Sequence, residues 1–269
     1  WPPTYWNTVI ENESVVGRNL VYTSSISSWK SIADGAYNWD TSTWPGFDSS
    51  SYVAASSDII QYYMDPRNFL NDTYVFMFEN LAYDAVNQTQ AGVEAILTGS
   101  FMANTNIAYL DANGTYIPTA ESYSSKILQA AQTSGASAYY IASKILQEVG
   151  SGRNGIYAGM GASGSVSGNY STSYKGIYNF YNIGATNTTS GSAVNNGLKW
   201  ASTGTSYLRP WNSRYRSIVG GAIYIGEKYI NVGQNTSYLQ KFNVTEKNRY
   251  NHQYMSNIEA PNSEATKTA

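Results

Sequence analysis

Apolar positions recur three and four residues apart over several stretches of this chain, and each stretch predicts a helix with one buried stripe. Ala54 to Met64 shows the pattern until Asp65-Pro66 interrupts it. Gln90 to Leu97 and Tyr123 to Gln132 repeat it, ended by Gly99 and Gly135. Ser137 is suited to accept from the free N–H groups of a first turn; after it Ile141, Ala142, Ile145, Leu146 and Val149 run to a stop at Gly150. Tyr215 to Tyr229 and Thr236 to Phe242 are further helical stretches, and the chain after Ala260 reads as a polar, fraying tail. Strand-like alternation is scarcer: Asn113-Gly114, between Ala108-Tyr109-Leu110 and Thr115-Tyr116-Ile117, predicts a short hairpin.

Two regions follow neither period. The first fifty residues carry Trp29, Trp39 and Trp44 among Ser, Asn and Asp, so residues 1–52 are expected to form an irregular, aromatic-anchored segment packed on a unit made by 53–269. From Gly150 to Gly168 the chain is rich in Gly and Ser, and it turns aromatic between Tyr174 and Gly184. That composition predicts a β-lobe or mobile loop near 151–185, placed just after the 137–149 helix. The expected fold class is mainly α, a helical domain with one small β insertion.

Composition narrows the chemistry. The chain has 269 residues and no cysteine, which excludes disulfides, thiol nucleophiles and cysteine-based metal sites. Only 13% of its residues are charged and the net charge is −2, so no basic face is available to track nucleic acid. No apolar run approaches a membrane span, and no membrane insertion is expected. The 25 Tyr and 7 Trp offer flat apolar faces with hydrogen-bonding edges, which suit neutral sugars as well as they suit cores. No signal peptide opens the chain, so it reads as a mature or trimmed unit.

One carboxylate stands apart. Glu148 is the last acid before Glu227, at the entrance of the long Gly-, Ser-, Tyr- and Asn-rich stretch. At roughly 100° per residue it lies almost below Ile141 and close to Ile145, on the core-facing stripe. Desolvation there, together with the negative end of the helix, favours a carboxyl that keeps its proton, as a general acid must. The alternative is a glutamate that ends a helix and reaches out to solvent. Other strings carry less. Gly159-Met160-Gly161-Ala162-Ser163-Gly164 fits a dinucleotide fingerprint, but no strand precedes it and no ribose-binding acid follows. The sole histidine, His252, has no nucleophile elbow beside it and cannot build a zinc site alone, and the oxygen ligands of a calcium loop do not follow Asp111. No metal or cofactor is expected.

The string Ile145-Leu146-Gln147-Glu148-Val149-Gly150, then Asn179-Phe180-Tyr181-Asn182-Ile183-Gly184-Ala185, then Tyr238 to Asn243, resembles the endo-β-N-acetylglucosaminidase domain of Gram-positive autolysins. Clostridial members are the most similar in pattern. The resemblance runs from about Ala55 to Ala265 and takes in Met64 to Leu70, Gly197 to Trp200, Arg209 to Asn212 and His252 to Met255. It implies a lysozyme-like fold and a secreted, cell-wall enzyme that cuts peptidoglycan glycan strands on the reducing side of N-acetylglucosamine, a monomeric catalytic unit of a larger wall-anchored protein. The family's general acid falls on Glu148, its cleft motif on Asn179 to Ala185 and its cleft tyrosine on Tyr238.

Some relatives place a second acid in the β-lobe, whereas Ser151 to Gly226 holds none. The second catalytic function is therefore expected from the substrate's acetamido oxygen or from a water held by Tyr238 and Asn182, unless Glu121, Glu79 or Asp65 folds back. Tyr178, Phe180, Tyr181, Trp211 and Tyr238 are candidates for sugar subsites, though such rings serve equally to pack a lobe on helices. Gly184 would give the backbone room to approach substrate. The rival readings are a lytic transglycosylase using the same acid and a non-catalytic wall-binding module.

Overall fold

The computed structural model describes residues 3–110, 116–150, 172–174, 176–186, 188–189, 191–247 and 249–269. The helices are α1 (Pro3–Glu13), α2 (Ser57–Met64), α3 (Gln90–Leu97), α4 (Tyr123–Ser134), α5 (Ala138–Val149), α6 (Ala193–Ser202), α7 (Arg214–Lys228), α8 (Ser237–Lys241) and α9 (Ala260–Thr268). Strands β1 (Leu20–Tyr22) and β2 (Tyr52–Ala54) make one antiparallel pair, and β3 (Asn106–Leu110) and β4 (Tyr116–Ser122) another. The chain divides into two compact units, residues 1–80 with 232–269 and residues 81–231.

The 81–231 unit carries the candidate acid. Its core joins Val93 and Leu97 of α3, Ile127 and Ala131 of α4, Ile141 and Ile145 of α5, and Ile218, Val219 and Ala222 of α7. These are the apolar faces expected from the three-and-four spacing, and burying them is what holds the short helices in place. Each helix starts on a polar cap: the hydroxyls of Thr89, Ser122, Ser137, Ser192 and Ser213 accept from N–H groups of the first turns of α3 to α7. Gly135 takes a left-handed φ of 76° and closes α4. The hairpin strands β3 and β4 pair as expected, with Tyr109 opposite Ile117; its Asn113-Gly114 turn lies outside the described residues.

In the other unit, Val9, Val21, Val53, Ile60, Met64, Phe69, Met77, Phe242 and Ile258 form a second core. Helices α1 and α9 depart from the sequence expectation. The stretch after Ala260 is a helix rather than a frayed tail, because Pro261 and Ala265 are buried and α9 packs on the 3-10 turn Tyr74–Phe78. Two small buried residues supply too little apolar contrast to be read as a stripe. Only part of the stretch 151–185, where a β-lobe is expected, is described. Residues 151–171 lie outside the described ones, and 176–186 form turns rather than strands. Gly176, Asn182 and Gly184 have φ of 82°, 54° and 74°, left-handed conformations that a pleated strand cannot contain.

Candidate active site

Glu148 sits on the last turn of α5, between the buried Ile145 and Val149, with its side chain 19% exposed. It is held on both carboxylate oxygens. Lys144 Nζ lies 3.1 Å from Oε1, and Asn182 Nδ2 donates to Oε2 at 2.8 Å and to the Glu148 carbonyl at 3.2 Å. The apolar stripe expected around the acid is thus shared with an ammonium whose side chain is only 6% exposed. Sequence reading passed over Lys144, although a lysine four residues before the acid was a visible signal. A lysine preceding a glutamate is the less favourable order for helix stability, so propensity does not explain the pair; fixing the carboxylate does.

Asn182 reaches Glu148 because the turn that carries it is fastened from beneath. Asn179 is fully buried, donates to the carbonyls of Ile183 at 2.9 Å and Gly197 at 3.1 Å, and accepts from Ile183 N at 3.2 Å. Phe180 N donates to Ser217 Oγ at 3.1 Å, and Tyr181 Oη donates to the Ile218 carbonyl at 2.7 Å, tying the turn to α7. Tyr178 N donates to the Trp211 carbonyl at 2.9 Å, and Trp211 Nε1 donates to the Tyr207 carbonyl at 2.7 Å. Helix α7 presents glycines where these rings arrive: a Cβ on Gly221 would stand 2.1 Å from Tyr181 Cδ2, and one on Gly220 would stand 2.5 Å from Trp211 Nε1. Gly184 is exposed, and a Cβ there would meet Trp200 Cβ at 2.9 Å.

The structure brings Asn182 onto Glu148, with Asn179 bonded to Ile183 in the same turn and Gly184 next along the chain, and it buries four of the aromatic candidates. Tyr178, Phe180, Tyr181 and Trp211 are buried in the unit's interior. Burial, with Tyr140 beside it, pushes the Tyr181 phenol well above its ordinary range. These rings pack the Asn182 turn against the helices, a burial that a linear sequence does not display.

Tyr238 lies in the other unit, on α8, and donates its hydroxyl proton to the Met64 carbonyl at 2.5 Å. Burial raises its phenol well above the usual range. The other acids are engaged locally. Glu121 pairs with Lys126, while Asp65 caps the turn after α2, and its ion pair with Arg67 at 2.5 Å holds its carboxyl below the usual range. Burial moves the Glu79 carboxyl upward. Among the described residues no group of histidine and acidic side chains is disposed to hold a metal, and no helix is long and apolar enough to cross a membrane. An open depression lined by Gln90, Glu94, Asn104, Asn106, Ser122 and Ser124 contains none of the expected site residues.

This geometry can be set beside known proteins. The chain is 30% identical over 206 residues to the β-N-acetylglucosaminidase of Bacillus subtilis, a match that covers 73% of the chain and 19% of that protein. The chain is homologous to Gram-positive glucosaminidase and autolysin catalytic domains. It spans about a fifth of the length of that relative. No family model matches. Among solved structures, Staphylococcus aureus glucosaminidase B superimposes with a TM-score of 0.56 at 19% identity, covering 97% of this chain and 81% of that one. A catalytic mutant of S. aureus autolysin E, in complex with the disaccharide NAG-NAM, gives 0.54 at 16% identity and covers 98% and 89%. These likenesses show the fold: lysozyme-like and mainly helical, with two small sheets among the described residues.

Proposed function

We propose that this glucosaminidase-like chain is the catalytic unit of a peptidoglycan hydrolase, acting at the cell wall on the β-linkage between N-acetylglucosamine and N-acetylmuramic acid, with Glu148 as general acid. The observation that carries the reading is the two-sided grip on Glu148, the sole acid between Ser122 and Gly226. The grip fixes where the carboxyl points at a partly open position, which a group acting on a bound saccharide needs and a glutamate that merely ends a helix does not.

The chemistry follows from that one group. A saccharide covering the exposed remainder of the side chain removes bulk water from between it and the scissile bond. Glu148 then gives its proton to the departing muramyl oxygen, a contribution of roughly 10²–10⁴ in rate. With no second acid on the neighbouring stretch, the substrate's own acetamido oxygen attacks the anomeric carbon as that bond breaks. Water opens the resulting ring, and the Glu148 carboxylate takes its proton back. Asn182 keeps Oε2 oriented through both steps. Tyr238, the family-derived candidate for holding a water, has its own hydroxyl proton directed to the Met64 carbonyl.

The test is digestion of purified peptidoglycan followed by borohydride reduction. Glucosaminitol is the expected product; muramitol means the other linkage was cut, an anhydro-muramyl end means a lytic transglycosylase, and wall binding without new ends means a binding module. Any of these three overturns the proposal. Proton NMR of the first-formed product should show retained configuration, and inversion would exclude acetamido assistance.

A further inference from the structure

The residues 30–44 carry a row of three aromatic rings, Trp39 exposed and Tyr37 and Trp44 half-buried, that the hydrolytic reading does not use. Tyr37 stands at its centre, 4.9 Å edge-on from Trp39 and 4.7 Å from Trp44. Trp44 is anchored by its indole N–H on the Ser31 carbonyl at 2.9 Å, and Lys30 Nζ lies 4.9 Å over its ring. The tip is rigid. Asn38 and Thr43 exchange both backbone hydrogen bonds, at 2.8 and 3.2 Å, and Asn38 Oδ1 accepts from the N–H groups of Asp40 and Thr41. On this support Trp39 is 67% exposed, with Ile32 also exposed.

We propose that this row is a binding site for a neutral saccharide, stacked on Trp39 and bordered by Asn38, Asp40 and Thr41. A preorganised indole with amide, carboxylate and hydroxyl groups at its edge offers both halves of a sugar's surface, the apolar CH face and the hydroxyl rim. Charge selects among the possible occupants. Within 30–44 the charged residues are Lys30, which sits over the Trp44 ring, and Asp34 and Asp40, the latter next to Trp39 in the chain. One lysine against two acids makes no cationic patch for an anionic bilayer or an anionic wall polymer. A stable protein partner needs about 800 Å² from each side, far beyond one indole and one isoleucine. An uncharged glycan fits both the size and the sign. The proposal takes from the hydrolase reading only the source of that glycan, the wall.

The experiment uses the full chain bearing Glu148→Gln, so that hydrolysis does not erode the target, and measures co-sedimentation with purified sacculi stripped of anionic polymers. Adding Trp39→Ala should weaken apparent binding about tenfold, whereas Trp39→Tyr, which keeps a ring face, should lose much less. Circular dichroism should be unchanged, because the replaced side chain is exposed. Vesicles of phosphatidylglycerol should not bind. Sacculus binding indifferent to Trp39→Ala overturns the proposal, and so does vesicle binding that Trp39→Ala abolishes. Residual hydrolysis by Glu148→Gln would count against the acid assignment alone; binding is then read at 4 °C over minutes, with released reducing ends measured beside it to show that the sacculi are intact.

Discussion

Replacing Glu148 by Gln keeps the side chain's shape and removes the proton, but the surroundings make it more than a chemical knock-out. The carboxylate now serves Lys144 through Oε1 at 3.1 Å and Asn182 through Oε2 at 2.8 Å. A glutamine has one acceptor oxygen for these two donors, so either the ammonium or the amide faces an N–H₂ group. Loss of one hydrogen bond to a charged group is worth about 1.5–3 kcal/mol, and at roughly 2–4 °C per kcal/mol the melting temperature should fall by about 3–12 °C. Activity should fall a further, separate distance, by about 10²–10⁴. The two losses are resolved by adding Lys144→Met, which removes the buried ammonium. The double variant should regain most of the melting temperature and none of the activity. The assay is release of reducing ends from purified peptidoglycan beside a thermal melt by circular dichroism. More than a tenth of wild-type activity in the single variant would falsify the acid assignment; activity returning in the double variant would show that the single variant had failed through its fold.

Three other substitutions test the framework. Gly221→Ala would stabilise an open helix by about 1 kcal/mol, but here the new methyl would stand 2.1 Å from the ring of Tyr181, which is pinned by its bond to Ile218. Net destabilisation of about 1–3 kcal/mol is expected in denaturant melts, and a gain in stability would mean the ring is free to move. Lys241, buried between Glu13 and Asn19, has its ammonium pushed down from 10.5 to about 8 by desolvation, which outweighs the opposing pull of Glu13. A depressed lysine contributes stability above its ordinary range that is lost as pH falls to about 8, so the native state should gain stability between pH 8 and 10. Lys241→Met should flatten that rise, and an unchanged slope would assign it to another group. Tyr238→Phe removes the bond to the Met64 carbonyl and should lower stability by about 1–2 kcal/mol, with activity kept within tenfold. A hundredfold loss in a folded variant would put the hydroxyl in the chemistry.

How far the chain could be read depended on what each residue had to meet. The helices α3, α4, α5 and α7 were legible because their apolar positions and caps are local; Ser137 and Gly150 bracket α5 as expected. Helices α1, α6 and α9 were not read as helices. In α9 the buried positions are Pro261 and Ala265, and no strong stripe marks it. Tyr178 to Tyr181 read as cleft residues because aromatic and amide side chains suit both sugars and interiors; their burial, with Gly221 of α7 against the Tyr181 ring, comes from packing that the sequence does not display.

The sequence by itself determined the helical periods, the caps, the hairpin strands and the isolation of Glu148 among uncharged neighbours, all of which are properties of residues near one another along the chain. The tertiary structure alone decided what holds that carboxylate. Asn182 lies 34 positions away and reaches it only because its turn is fastened to α7 and to Gly197. Lys144, one helical turn away, faces the carboxylate at 3.1 Å because packing turns that side of α5 inward. A hydrogen bond between distant residues is set by the packing of the elements that carry them, and no local pattern encodes that distance.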